Sequence, residues 1–107
     1  MFYYIYILLS QKDKKFYIGF TVNITERTKR HHAGEVLSTK YRRPLDLIFY
    51  EAYLNKSDAL RREKYFKTTK GKTTLRTMLS EYLKELGKEN KENKRIELKN
   101  KKKILIR

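Results

Sequence analysis

The stretch FYYIYILLSQKDKKFYIGFT, residues 2–21, decides how this chain of 107 residues folds. Its first eight side chains alternate between two faces, as in a β-strand, and a second apolar run begins at Phe16 after a polar, turn-like segment. Two such runs joined by a short polar segment are typical of an antiparallel hairpin. We therefore expect the domain to be built on this hairpin.

The hairpin also predicts where two tyrosines meet. The loop length permits a register that pairs Leu9 with Lys14. In that register Tyr6 lies directly opposite Tyr17, on one face of the hairpin, with the two hydroxyl groups close together. Two such phenols are core aromatic residues in the plain interpretation and a catalytic pair in the functional one.

A short helix is predicted immediately after the hairpin. Asn23 is a typical N-cap, Glu26 completes a capping box three residues later, and Gly34 provides the C-terminal stop. Arg27 and His31 are one turn apart on the inward face of this helix. Because a buried guanidinium and a buried imidazole need an anionic partner, this face predicts a polar site against the sheet.

The rest of the chain completes a small α/β domain of the α+β kind. The remaining elements are a third strand and two helices: residues 45–53, residues 55–68 with an N-cap at Asn55 or Ser57, and residues 73–86 with a start at Thr73 or Thr74 and a stop at Gly87. Glu63 interrupts the otherwise apolar stripe of the first of these helices. The order ββαβαα predicts a small three-stranded antiparallel sheet flanked by helices.

Charge indicates the kind of partner. The chain has 27 Lys and Arg against 12 Asp and Glu, a net charge of +15, which favours a nucleic acid because each neutralised phosphate releases a counterion. A solvated lysine-rich surface is the alternative. The absence of cysteine excludes disulfides and Cys-ligated zinc and is compatible with a reducing cytoplasm, where we expect the protein. The longest apolar run is far too short to span a membrane, and no membrane partner is expected.

We expect a domain boundary at Gly87. Residues 1–87 have regular apolar periodicity, whereas residues 88–107 have nine basic and three acidic side chains and few apolar ones. The second segment cannot bury a core of its own and is predicted to be a basic extension, disordered or partly helical, with phosphate binding as one use. A strand through residues 104–106 is the alternative.

The polar residues fit one continuous spacing. From Tyr6 the sequence follows Tyr-x(10)-Tyr-Ile-Gly-x-Thr-x-Asn-x(3)-Arg-x(3)-His-x(2)-Gly, and Arg-Arg-Glu-Lys stands at residues 61–64. Over residues 2–70 this order resembles the GIY-YIG nuclease superfamily, above all its small single-domain bacterial predicted endonucleases, and is similar to the nuclease module of the excision-repair incision subunit. The first motif is Tyr-Ile-Tyr instead of Gly-Ile-Tyr, and His32 stands where Asn is usual.

The resemblance implies a metal-dependent DNA endonuclease that hydrolyses phosphodiester bonds, leaves 5′-phosphate ends and serves DNA repair, recombination or processing. It also implies roles for five residues: Tyr17 activates water, Tyr6 assists, Arg27 steadies the phosphate, His31 accepts or relays the proton, and Glu63 holds one divalent metal ion, Mg²⁺ or Mn²⁺. The residues themselves leave the general base open between Tyr17 and His31, because a free tyrosine has a pKa of about 10 and a free histidine about 6.5. One carboxylate on the site face favours one metal ion over two.

Small and basic residues nearby are candidate DNA contacts: Gly19, Thr21, Lys40, Arg42, Arg43, Lys64, Lys67 and Lys70. Residues 39–43, which begin with Thr39, form a basic and aromatic loop that can follow a DNA backbone, with a charged solvent loop as the alternative. Lys67 lies four residues after Glu63, so an ion pair between them is the plain alternative to a metal site.

The competing function class is a catalytically inactive nucleic-acid-binding module of the same fold. A domain of this size has little surface for base readout, so cleavage is expected to be structure-specific or weakly sequence-specific, for example on branched or damaged DNA. No small-molecule cofactor is expected.

Overall fold

A three-stranded sheet is the framework on which the candidate site is placed. The computed structural model describes residues 1–105, which form, in chain order, β1 (Tyr3–Ser10), β2 (Phe16–Thr21), α1 (Ile24–His32), α2 (Leu37–Lys40), β3 (Leu45–Tyr53), α3 (Lys56–Phe66), α4 (Thr69–Met78) and α5 (Ser80–Leu105). The strand order is β2-β1-β3, and β1 pairs antiparallel with both neighbours. The predicted α+β fold with a small antiparallel sheet flanked by helices is confirmed.

The helices differ from the prediction in three respects. The short helix α2 was not predicted, because four residues are too few to show a helical period. The last predicted helix, residues 73–86, is replaced by α4 and α5, which are separated by Leu79. Moreover, α5 continues through Gly87 instead of stopping there: Gly87 has no left-handed backbone conformation, its neighbours are mostly good helix formers, and a glycine inside a helix costs only about 1 kcal/mol.

The chain forms two compact units, residues 1–71 and residues from 72 onward. The first holds the sheet, α1, α2 and α3, and the second holds most of α4 and all of α5. The division at residue 87 between domain and basic extension stays a prediction. Of the alternative strand through residues 104–106, the first two residues belong to α5, and Ile106 lies outside the described residues. None of the helices in residues 1–105 is both long and apolar enough to cross a membrane.

The register of the hairpin differs from the prediction by two residues. Tyr6 pairs with Gly19, and Tyr17 pairs with Leu8. The reason is a wider turn, which closes with a hydrogen bond from the Ser10 N–H to the carbonyl of residue 15 and includes a residue with positive φ. A shift of two residues leaves every side chain on its original face. The two tyrosines therefore remain neighbours, diagonally and not directly opposite, with ring centroids 6.3 Å apart.

Helix α1 has the caps that the sequence predicts. The side chain of Asn23 accepts a hydrogen bond from the Glu26 N–H at 3.1 Å. Gly34 follows the helix with a φ of 78°, and its N–H donates to the carbonyl of His31, while the next N–H donates to the carbonyl of Arg30. These two bonds form a Schellman motif, so both ends of α1 are fixed, and with them the direction of its inward face.

Two helices are packed against the sheet. Helix α3 contacts all three strands, and its Ala59 and Phe66 are fully buried. Helix α1 contacts β3, and its Ile24 packs on a buried cluster formed by Tyr6, Leu8 and Leu45. Tyr6 thus belongs to the core and to the candidate site at once.

Candidate active site

The centre of the site is a buried tyrosine with two polar partners. Tyr6 is 1% exposed, and its hydroxyl lies 2.8 Å from Nε2 of His31. The Nε–H of Arg27 donates to the same hydroxyl at 3.4 Å. The sequence predicted that α1 aims Arg27 and His31 at the sheet, and the structure brings both of them to one phenol.

His31 lies inside a chain of hydrogen bonds. It is fully buried, and its Nδ1 lies 2.7 Å from the hydroxyl of Thr39 in α2. Burial, with smaller contributions from the charges of Arg27, His32 and Arg30, lowers the pKa of His31 to about 4. The imidazole is therefore neutral at neutral pH, so one ring nitrogen donates and the other accepts. Tyr6 and Thr39 can satisfy both nitrogens in either tautomer.

Tyr17 is the more accessible phenol of the pair. It is half-buried, its ring centroid is 5.2 Å from that of His31, and its hydroxyl accepts a hydrogen bond from Ser38 at 3.3 Å. Arg27 lies close enough for its guanidinium to interact with both phenols, and these interactions raise the pKa of Arg27, the hydrogen bond to Tyr6 most of all.

Burial and the neighbouring polar groups act on the pKa of Tyr6 in opposite directions. Burial is the largest influence and raises the pKa of the Tyr6 phenol, while the hydrogen bond from Arg27 lowers it by less. The nearby charges of Tyr17 and Glu63 raise it further. Tyr6 is therefore a protonated hydrogen-bond donor at neutral pH, and Glu63 of α3 lies within electrostatic reach of it.

Glu63 is the candidate metal ligand. Its side chain is 18% exposed and forms an ion pair with Lys67 at 3.3 Å, which is the plain alternative named above. Among residues 1–105, no three His, Cys, Asp or Glu side chains are grouped so that they could hold a metal ion together. A single accessible carboxylate nevertheless fits Mg²⁺, which is commonly bound through one or two carboxylates, several waters and the phosphates of the substrate.

Gly19 is placed at the site by packing. It stands opposite Tyr6, and a Cβ atom built on it would overlap the Tyr6 phenol. The absence of a side chain at this position therefore makes room for the central ring.

Two predicted DNA contacts are engaged with protein groups. The guanidinium of Arg42 donates to Asp13 at 2.7 Å and to the carbonyls of residues 15 and 16. The hydrogen bond to Asp13 holds the pKa of that carboxyl well below its usual range. The guanidinium of Arg43 lies over Gly34 and donates to the carbonyls of residues 32 and 40. Both side chains fix the chain around α2, and their contact with DNA stays a prediction.

The other candidate DNA contacts lie at the surface. Thr21 bonds locally to Asn23, Lys40 lies 5.5 Å above the Tyr41 ring, and Lys64 and Lys70 are exposed. A shallow pocket of about 240 Å³ opens beside Arg27 and is also lined by Phe20, Thr21, Asn23, Glu26 and Arg30. Two guanidinium groups in one pocket suit a phosphate.

The sequence did not reveal the contribution of α2. Thr39 was grouped with a DNA-contacting loop, but it is fully buried and bonded to His31, and Ser38 beside it bonds to Tyr17. A four-residue helix of the sequence Leu-Ser-Thr-Lys has no periodic signal that indicates which of its side chains point inward.

Comparison with known proteins finds a matching family and several similar proteins. The GIY-YIG catalytic domain family matches residues 2–77. Similar relatives are UPF0213 proteins from Pediococcus acidilactici (37% identical over 90 residues, 79% of this chain and 84% of the relative), from Staphylococcus haemolyticus (42% over 67 residues, 62% and 80%) and from Clostridium perfringens (35% over 91 residues, 84% and 97%). The solution structure of a UPF0213 protein from Bacillus halodurans is 31% identical, with a TM-score of 0.48, and the match covers 73% of this chain and 85% of that one.

Proposed function

The chain belongs to the GIY-YIG catalytic domain family, and from this membership and the geometry of the site we propose that it is a metal-dependent DNA endonuclease. The family is one of nucleases, so the substrate is a nucleic acid. The observation that supports catalysis in this chain is the buried chain of hydrogen bonds from Arg27 through Tyr6 and His31 to Thr39. A module that only bound phosphates would need surface cations and not a guanidinium fixed by a buried phenol.

In this proposal Arg27 binds the scissile phosphate. Its guanidinium remains positively charged at every relevant pH, and negative charge develops on the phosphoryl oxygens in the transition state. The Tyr6 hydroxyl donates to His31 and accepts from Arg27, so it fixes the direction of the guanidinium. Tyr6 and His31 thus act on the reaction by positioning Arg27.

Tyr17 is the general base in this proposal. His31 has both ring nitrogens bonded inside the protein and a pKa of about 4, so it cannot contact the attacking water and is a weak base. Tyr17 has an accessible hydroxyl, which accepts a hydrogen bond from Ser38, and the guanidinium of Arg27 lies beside it. The sequence leaves the general base open between Tyr17 and His31, and for these reasons we propose Tyr17.

Glu63 would hold the divalent ion. When bound, such an ion supplies positive charge to the departing 3′ oxygen. The ion pair with Lys67 neutralises Glu63 in the absence of substrate, and Lys67 is free to turn toward a phosphate once the carboxylate binds metal.

Cleavage of a panel of labelled DNAs tests the proposal. Single-stranded, duplex, flap and branched substrates are incubated with Mg²⁺ or Mn²⁺, with the wild type, Glu63→Gln and Tyr17→Phe. We expect metal-dependent cutting that both substitutions reduce by at least about 100-fold while DNA binding persists, since positioned proton transfer contributes about 10²–10⁴-fold. Asp58→Asn, which changes an exposed carboxylate on the same helix, is the matched control and should cut like the wild type.

Two results would contradict parts of this proposal. Normal cutting by Glu63→Gln would show that its carboxylate serves the ion pair with Lys67 and not a metal. Binding of every substrate without cutting by the wild type would favour the inactive binding module. Because the domain has little surface for base readout, we propose that it recognises the structure of its DNA substrate. If the wild type cuts branched or flap DNA in preference to duplex DNA, that result would support a role in repair, recombination or processing.

A further inference from the structure

Helix α5 presents six basic side chains along one face. They are Lys84, Lys88, Lys91, Arg95, Lys99 and Lys102, all exposed, and together we name them the basic stripe. Their spacing of three or four residues keeps them within an arc of about 80°, at about 100° per residue. At a rise of about 1.5 Å per residue the stripe is about 27 Å long.

Among the residues that the structure describes, most of the stripe has no ion-pair partner. Lys84 pairs with Glu81 at 3.5 Å and Arg95 with Glu92 at 4.0 Å, and both pairs are exposed and therefore weak. The other four lysines form no ion pair with any residue in the part of the chain that the structure describes. Like charges one turn apart on a helix repel each other. Binding of an array of anions along this face would reduce that repulsion.

The apolar side chains of the same segment exclude a membrane surface as the partner. A helix that lies on a membrane needs a continuous apolar face. Between residues 84 and 102 the apolar residues are Leu86, Ile96 and Leu98. Leu86 and Ile96 are ten residues apart, and Leu98 lies about 160° from Ile96 around the helix, so the three form no continuous stripe. The segment therefore has a basic face without an apolar face.

We infer that the basic stripe is a second nucleic-acid contact, which docks along the phosphate backbone of double-stranded DNA. The inference rests on the proposed function, from which it takes DNA as the ligand. The stripe is as long as about eight base pairs, at about 3.4 Å between phosphates along one strand. Contacts to phosphate fix position without reading sequence, so this surface adds affinity and no base specificity.

The competing explanation is that the segment binds as an unordered polycation. The two differ because a helical face uses some lysines and not others, whereas an unordered chain uses all of them alike. Lys91 and Lys99 lie on the stripe, and Lys94 and Lys101 lie about 100–120° away from its centre. All four lysines are exposed and lie in the same stretch of α5. The pair on the stripe and the pair off it can therefore be given the same substitution and compared directly.

The experiment compares two double variants of the full-length chain, K91Q/K99Q and K94Q/K101Q, which have equal net charge. Binding to a labelled duplex of about 20 base pairs is measured without divalent metal at several salt concentrations. We expect the slope of log Kd against log salt to fall by about 1.8 in K91Q/K99Q, about 0.9 for each lost phosphate contact, and to change much less in K94Q/K101Q. Equal changes in the two variants would overturn the inference.

Further measurements separate this inference from the proposed function. Cleavage by the wild type tests the proposed function, whereas the difference between the two double variants tests the stripe. If the wild type cuts DNA and neither pair alters the slope, the nuclease proposal stands and the stripe is wrong. Vesicles of phosphatidylserine are titrated in parallel, and a loss of vesicle binding in K91Q/K99Q with unchanged DNA binding would also overturn the inference.

Discussion

The hydroxyl of Thr39 determines how the buried imidazole is held. Both nitrogens of His31 are buried, and among residues 1–105 their hydrogen-bond partners are Tyr6 and Thr39. Removing one of the two partners leaves a buried polar atom unsatisfied, which costs about 1–3 kcal/mol. Thr39 is thus a positioning residue that acts on Tyr6 through His31.

Substitution of Thr39 tests this arrangement. Thr39→Val keeps the shape of the side chain and removes the hydroxyl, so we expect a loss of about 1–3 kcal/mol in unfolding free energy and a lower kcat with little change in KM. Thr39→Ser restores the hydroxyl and should recover the rate. A valine variant that cuts at the wild-type rate would show that the hydrogen bond has no part in catalysis.

Residue spacing predicted some members of this site and not others. Arg27 and His31 were predicted to point inward because one helical turn separates them, and a helix direction follows from sequence once its caps are known. Thr39 was not predicted, because its contact with His31 depends on how the connection after α1 folds back. Such a contact between separate elements leaves no periodic pattern in the sequence.

At the level of elements, two glycines show what sequence can and cannot indicate. Gly87 was predicted to end a helix, yet α5 passes through it, because a helix ends at glycine only when the backbone turns left-handed there. Gly34 does turn, and the predicted end of α1 is confirmed. The register of the hairpin likewise depends on the length of the turn. The sequence indicated that the turn is polar, but it did not determine how many residues the turn contains.

Alanine at two glycines should have opposite effects. Gly19→Ala forces a methyl group into the Tyr6 ring, and we expect a loss of about 1–3 kcal/mol in stability together with the loss of cleavage. Gly87→Ala meets nothing within 4 Å and removes a glycine from a helix interior, so it should increase helicity and stabilise α5 by about 0.5–1 kcal/mol. Circular dichroism and thermal unfolding measure both, and a destabilised Gly87→Ala would mean that α5 is interrupted at this position.

At the level of the whole molecule, charge and folding are linked. A net charge of +15 favours association with DNA and also makes the folded chain repel itself. Acid increases this repulsion by protonating carboxylates. Asp13 keeps its negative charge to lower pH than other carboxylates, because the hydrogen bond from Arg42 holds its pKa far below the usual range. The contribution of Asp13 to the stability of the folded state is therefore fully present above the pKa of about 4 that it has in the unfolded chain, and it is lost only at a pH well below that value.

The buried imidazole of His31 makes the stability of the protein sensitive to acid at a higher pH than Asp13 does. His31 in the unfolded chain binds a proton near pH 6.5, whereas in the folded protein it does so only near pH 4. Between these values the unfolded state binds more protons, so stability is full above about pH 6.5 and falls as the pH decreases toward 4, by up to about 1.4 kcal/mol per pH unit. Urea unfolding measured at intervals from pH 7.5 to 4.5 should show this decline.

Two histidine variants separate this effect from general acid repulsion. In His31→Gln the titrating group is gone, so the variant should be less stable at pH 7.5 but should lose little further stability down to pH 4.5. His32→Gln, which changes the adjacent exposed histidine, should nearly keep the wild-type dependence, because burial, the largest cause of the low pKa of His31, is unchanged. If His31→Gln declines as steeply as the wild type, net charge governs acid unfolding and His31 must be protonated without cost, which would contradict its buried hydrogen bonds to Tyr6 and Thr39.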